Sequence, residues 1–260
     1  MIKSVEKAFR LLESMARADG PQRLSDIARM NGMTRSNAFH LLQTLQDLDY
    51  VRQVEDSTLY ELTFKTFEIG ARAASRNTLI AAAHPELVRL SERVPENVML
   101  NTRDGLMNLA ADRIESRSVV RTLAHLGART PLQLVSGGKV QLAWAPESLV
   151  AQVCRNLVAV TERTVTDPEV LRAQLAQIRA QGYGVAIGEV NEAAKGVACP
   201  LRNRHGDVVA AVSIAGPMDR LGDELIAHYV TLLRETITRI ETAWADCWRG
   251  QASVALPSSA

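Results

Sequence analysis

Between Thr34 and Gln43 the chain gathers Thr34, Arg35, Ser36, Asn37, His40 and Gln43, each of them a hydrogen-bond donor or acceptor. The apolar residues of the same stretch, Ala38, Leu41, Leu42, Leu45 and Leu48, recur at helical spacing, which puts the polar set on the opposite face of one helix. Such side chains can match base edges in a DNA major groove: Arg to guanine, Asn or Gln to adenine, Ser or Thr to either. Phe39, among them, can meet a thymine methyl. A merely solvated helix face would have the same composition, so the elements around it must decide.

Those elements are two earlier helices and a hairpin. Ser4–Arg17 reads as a helix with Val5, Ala8, Leu12 and Met15 on one stripe and Ser4 as its cap, broken at Asp19-Gly20-Pro21. Ser25–Met30 reads as a short second helix ending at Asn31-Gly32, a left-handed exit. After the polar-faced helix, "YVRQV" and "LYEL" alternate on either side of "EDST" and predict a hairpin. That order is a winged helix-turn-helix, whose recognition helix puts its N-terminal part in the major groove. Arg23 and Ser25, at the start of the second helix, then suit a phosphate. Arg52, Ser57 and Thr58 could reach the backbone from the wing, opposed by Glu55 and Asp56 at its tip.

Composition permits this without requiring it. The 260 residues carry a net charge of +1 and are 47% hydrophobic, an ordinary globular balance for about two domains. Residues 1–40 hold seven basic side chains against four acidic ones, a local excess only. Cys154, Cys199 and Cys247 are too dispersed for a disulfide framework or a zinc site, and no metal or other cofactor is expected. The absence of a continuous apolar run predicts neither a signal peptide nor a membrane span, and a cytoplasmic location. We divide the chain into a DNA-binding domain over 1–63, a linker helix over 64–83, a second domain over 84–249 and a disordered tail over 250–260.

The second domain reads as α+β. Pro85 is expected to open a helix through Arg93. "NVMLN", "LMNLAAD" and "SVVRTL" predict strands, with a turn at Asp104-Gly105 and a bend at Gly127 before Pro131. "SGGKVQLAWA" begins a helix, and residues 167–180 form an amphipathic one. "GYGVAI", "GVACPLRN" and "VVAAVSIAG" follow as strands. The last lacks alternation, as a strand covered on both faces should. A long helix over 222–248 closes the domain around one mixed or antiparallel sheet.

With these motifs in order, the chain resembles bacterial transcriptional regulators of the isocitrate-lyase-regulator (IclR) type over residues 4–243. "SVEKAFRLLESMA", "LSDIARMNGMTRSNAFHLLQTLQDLDYV" and "YELTFKTFEIG" are similar to that family's winged helix and linker. "GARTPLQLVSGGKVQLAWAPE", "GYGVAIGE" and "VACPLRNRHGDVVAAVSIAGP" are similar to its GAF/PAS-like effector domain. The resemblance implies double-stranded DNA as one partner, a small organic acid or aromatic metabolite as effector, and assembly as a homodimer or a dimer of dimers. His40 stands where the family often has arginine, which leaves a base contact or a pH-sensitive one.

Carried over by position, Gly127 and Ala128 would lend backbone N–H groups to an effector, and Glu189, Gly196, Ser213 and Ala215 would line its pocket. Met99 and Asn101 could join them from the first strand, although Met99 reads first as a core residue. Arg121 could pair an effector carboxylate or lie on the surface. Ala186 and Ile187 stand where small-acid binders carry carboxylates, Gly196 where some have a polar residue such as Cys, and Ala215 where they have a second serine. A very small oxoacid needs a partner for each oxygen, so these changes favour a larger, more apolar ligand such as an aromatic acid.

The rival class is an enzyme or metabolite sensor without a DNA role. His84, His125, His205 and His228 are scattered, and no nucleophile elbow is present. "SGGK" lacks the spacing of a phosphate-binding loop, so its glycines read as close packing at a helix start. Cys199, before a proline in an apolar run, reads as core. A regulator, not an enzyme, is therefore expected.

Overall fold

The computed structural model describes residues 2–75, 78–116 and 125–252. They fall into two compact units, residues 1–76 and 77–260, with the division inside the expected linker. No described helix is long and apolar enough to cross a membrane.

In the first unit α1 (Lys3–Ala16), α2 (Leu24–Met30) and α3 (Arg35–Asp47) pack around Leu11, Met15, Ile27, Leu42 and Leu45. The wing is the hairpin of β2 (Val51–Gln53) and β3 (Leu59–Leu62), which also bury Val51 and Tyr60 against this core. A two-residue strand, β1 (Gln22–Arg23), adds to β3. Its sequence gives no strand signal, because pairing alone defines it. Ile2, not Ser4, occupies the cap position of α1, with no side-chain bond. Of the expected stripe Met15 is buried and Leu12 packs against the core, while Val5 is exposed and Leu11 is buried instead. α4 (Phe64–Ser75) ends the unit.

The second unit is a six-stranded antiparallel sheet in the order β6-β5-β4-β9-β8-β7. Its strands are β4 (Asn97–Asp104), β5 (Met107–Ile114), β6 (Arg129–Pro131), β7 (Gly184–Ile187), β8 (Ala194–Arg202) and β9 (Val208–Pro217). The central position and two-sided burial of β9 match its unbroken apolar sequence. "SVVRTL" and Arg121 lie outside the described residues, as does tail segment 253–260.

One face of the sheet is covered by α5 (Thr78–Ser91) and α9 (Asp223–Ala252), through Leu87, Leu90, Leu233 and Ile240. The other is covered by α6 (Ser136–Ala143), α7 (Glu147–Cys154) and α8 (Pro168–Gln181), through Val140, Leu142, Val150, Leu171 and Leu175. Pro85 lies inside α5 rather than at its start. Proline forfeits one helical hydrogen bond, but burial of Leu79, Ala82 and Ala83 ahead of it holds the first turns in place. α7, eight residues with only Val150 and Val153 buried, has no counterpart in the sequence reading.

Candidate functional site

The polar face of α3 stands as the sequence implies. Gly32 has φ +60°, the left-handed turn that lets the chain reverse between α2 and α3. Asn31 fixes that turn, its Nδ2 donating to Ser14 Oγ at 2.7 Å and to Ile27 O at 2.8 Å. Thr34 caps α3, its Oγ1 accepting from Asn37 N at 3.3 Å. Arg35, Ser36, Asn37, His40 and Gln43 are exposed, and none of their side chains has a hydrogen-bond partner among the described residues. Phe39 is also exposed, its ring edge-on to His40 with centroids 5.9 Å apart.

Arg23 is exposed and Ser25 half-buried at the start of α2. Arg52 does not share the freedom of the α3 side chains. Its Nε donates to Glu61 Oε1 at 2.7 Å across the β2–β3 pair, so it faces a carboxylate before it faces any phosphate.

In the second unit one cavity of about 230 Å³ opens between the sheet and the N-terminal end of α6. Met99, Asn101, Ala128, Glu189, Gly196, Ser213 and Ala215 all line it; Gly127 does not. The expected role of the bend as an amide donor fails. Gly127 N already donates to Ala110 O of β5 at 2.8 Å and Ala128 N to His125 O at 3.0 Å, so both amides are occupied.

The free amides are instead at α6. Those of Ser136, Gly137 and Gly138 have no partner among the described residues, and Ser136 and Gly137 line the cavity. The glycines of "SGGK" allow this approach. A Cβ on Gly138 would lie 2.3 Å from Leu132 O, and one on Gly137 2.7 Å from the Asn101 side chain. Gly196 is looser, a Cβ there lying 3.1 Å from Ser136 Oγ and 3.4 Å from Ala215 Cβ.

The polar residues of the sheet bond mainly to one another. Asn101 Nδ2 donates to Ser213 Oγ at 2.8 Å, Asn108 Nδ2 to Asn101 Oδ1 at 3.0 Å, and Gln141 Nε2 to Asn108 Oδ1 at 3.0 Å. A bulge sets this register. Leu100 pairs with Asp112 and Asn101 with Ala110, skipping Ala111, so Ala110 faces the cavity while Asp112 meets His84 of α5 at 2.8 Å.

Beside the cavity Lys139 is fully buried, donating to Glu189 Oε1 and, at 2.8 Å, to Gln174 Oε1. Burial holds its ammonium below the usual lysine range, against the opposing pull of Glu189. Glu189 Oε2 is buried without a partner. Sequence reasoning assigned no binding role to Lys139 and missed Asn108, Ser136 and Lys195 as cavity residues. The alternation in "LMNLAAD", which turns Asn108 inward, is the signal that was there to use.

Comparison with known proteins closes the argument. Residues 4–55 match the IclR helix-turn-helix domain, and residues 71–242 match the bacterial transcriptional regulator IclR C-terminal family. The chain is 33% identical over 244 residues to the HTH-type transcriptional regulator KdgR of Escherichia coli, covering 92% of this chain and 91% of that one. The crystal structure of an IclR homologue from Microbacterium hydrocarbonoxydans complexed with 4-hydroxybenzoate superposes with a TM-score of 0.80 at 28% identity, covering 94% and 99% of the two chains. An IclR transcriptional regulator from Alicyclobacillus acidocaldarius gives 0.81 at 26% identity, with the same coverage. A partnerless polar helix face after a tight turn, and an antiparallel sheet domain matched along nearly its whole length, thus have one source: the chain belongs to the IclR family of bacterial transcriptional regulators, with a helix-turn-helix DNA-binding domain.

Proposed function

We propose that this chain is a ligand-responsive regulator of a catabolic gene cluster, acting in the cytoplasm and sensing a small organic acid, of the aromatic class, in the cavity beneath α6. The observation that carries the reading is the division of labour inside that cavity. Asn101, Asn108 and Ser213 are bonded to one another, which leaves few unengaged polar groups for a ligand, chiefly the α6 amides, the Ser136 hydroxyl and Glu189 Oε2. Met99, Ala110, Leu134, Val135, Ala186 and Ala215 supply apolar wall. A carboxylate at the α6 N-terminus with an apolar body against that wall suits both. The relative crystallised with 4-hydroxybenzoate agrees with this class.

On the DNA side, Arg35, Ser36, Asn37, Phe39, His40 and Gln43 read a half-site, with Thr34 setting the helix start and Arg23 and Ser25 on the backbone. A second copy of the chain reads the other half. Support for a dimer, or a dimer of dimers, comes from apolar side chains left uncovered in the first unit: Phe9 is 62% exposed on α1, and Phe64 and Phe67 are 86% and 69% exposed on α4. The effector acts by stabilising one arrangement of its domain, which changes half-site spacing.

The test is titration of the purified protein with benzoate, 4-hydroxybenzoate and glyoxylate, followed by calorimetry, beside anisotropy of labelled DNA from the intergenic region next to the gene. Aromatic acids are expected to bind and to change a competitor-resistant DNA affinity. Binding of glyoxylate alone overturns the aromatic assignment. DNA binding that competitor displaces freely and Arg35→Ala leaves unchanged overturns the roles given to α3.

A further inference from the structure

A second cleft lies at the other end of α6, about 470 Å³ in volume, and the proposed function makes no use of it. Its functional groups are Arg103 at the end of β4, Arg202 at the end of β8, Gln141 and Trp144 on and just after α6, Pro146, and Asp207 in the β8–β9 turn. The Arg202 guanidinium lies over the Trp144 ring, 5.1 Å from its centroid, and donates to Gly206 O at 2.7 Å. No carboxylate pairs with the side chain of Arg103 or Arg202 among the described residues. The nearby Asp104 is taken by Arg129, and Asp207 accepts from Asn203 Nδ2 at 3.1 Å.

Neither arginine is needed to cap α6, because Arg179 Nε already donates to Ala143 O. Both guanidiniums line one cleft with the Trp144 ring and Pro146, and neither is paired with a carboxylate among the described residues, an arrangement that matches a carboxylate carried on a flat apolar body. At the buried side of the cleft, Gln141 uses its Nε2 on Asn108 and on Gly137 O, each at 3.0 Å, and its Oε1 is buried without a partner. A buried acceptor of that kind is stabilised by a donor, which a hydroxyl opposite the carboxylate would supply.

We propose that this cleft is a second ligand site, distinct from the cavity at the start of α6, for a small hydroxylated aromatic carboxylate held by Arg103 and Arg202 against Trp144. Gln141 belongs to the cleft and donates to Asn108, which belongs to the cavity, so one hydrogen-bond chain joins the two sites.

The experiment is ¹⁹F NMR of the full chain labelled with fluorotryptophan, the Trp144 resonance being assigned with Trp144→Phe and followed during titration with 4-hydroxybenzoate and with benzoate. A saturable shift of that resonance is expected, with 4-hydroxybenzoate the tighter ligand. The Arg103 side chain has no hydrogen-bond or ion-pair partner among the described residues, so Arg103→Gln should leave the fold intact and weaken the binding seen at Trp144 by about tenfold, the loss for one charge-assisted hydrogen bond. A stationary Trp144 resonance overturns the site. A resonance that moves with the same midpoint in Arg103→Gln also overturns it, since the shift is then relayed from the cavity. Equal affinity for the two acids removes the contact assigned to Gln141.

Discussion

The face of α3 and the cavity under α6 use much the same side chains, and the protein keeps them in opposite states. The side chains of Ser36, Asn37 and Gln43 on α3 are exposed and have no hydrogen-bond partner among the described residues. Asn101, Asn108, Gln141 and Ser213 in the sheet domain are buried and form one chain of hydrogen bonds. Exposure leaves the first set to water, so those groups remain available for the base contacts proposed for them. Burial obliges the second set to find partners within the protein, so most of their capacity is used before a ligand arrives. Polar residue type alone therefore says little about recognition, whereas the location of each group's hydrogen-bond partner says much.

The sharpest way to break this contrast is at Lys139. Removing it in Lys139→Ala leaves Glu189 buried without its cation and should cost about 3–5 kcal/mol in urea unfolding. Lys139→Met with Glu189→Leu should recover most of that loss. If Lys139→Ala were as stable as wild type, the pair would be hydrated and the contrast wrong. Next comes Asn101→Ala, which strands Asn108 and Ser213 and should cost about 2 kcal/mol of stability. On the exposed side Arg35→Ala should change stability by less than about 0.5 kcal/mol while weakening specific DNA binding by about 1–3 kcal/mol in anisotropy. Those two variants thus exchange readouts, one affecting folding and the other affecting binding.

The smallest effect concerns Cys199, whose thiol burial pushes up to about 12 from an ordinary 9.0. The folded state then keeps a proton that the unfolded state gives up, so this contribution is fully present below pH 9 and is lost as pH rises toward 12. Native protein should therefore resist iodoacetamide at Cys199 near neutral pH and become labelled there only on unfolding.

Local signals made much of the fold legible. Gly32 marked the turn before α3, the amphipathic pattern over residues 167–180 marked α8, which Asp167 caps by its Oδ1 accepting from Glu169 N at 2.8 Å, and "VVAAVSI" marked a central strand. Whatever depended on distant partners was hidden. β1 exists because β3 lies beside it, and α5 continues through Pro85 because its earlier turns are packed. The cavity was half legible. Ser213 and Glu189 followed from motif position, but the link from Asn101 to Asn108 depends on a bulge at Ala111, and the donor role proposed for α6 rests on the bend amides being occupied. Neither the bulge nor that occupancy leaves a pattern in the sequence.

The glycines around the cavity differ in how freely they can mutate. At Gly138 the obstacle to a Cβ is the Leu132 backbone at 2.3 Å, which cannot move without displacing the start of α6. At Gly196 the obstacles are the Ser136 hydroxyl at 3.1 Å and the Ala215 methyl at 3.4 Å, and a shift of a few tenths of an ångström relieves both. Position 196 therefore tolerates a small side chain that position 138 does not, and under the cavity reading proposed above a polar substitution there would change the chemistry of the pocket while leaving the scaffold in place.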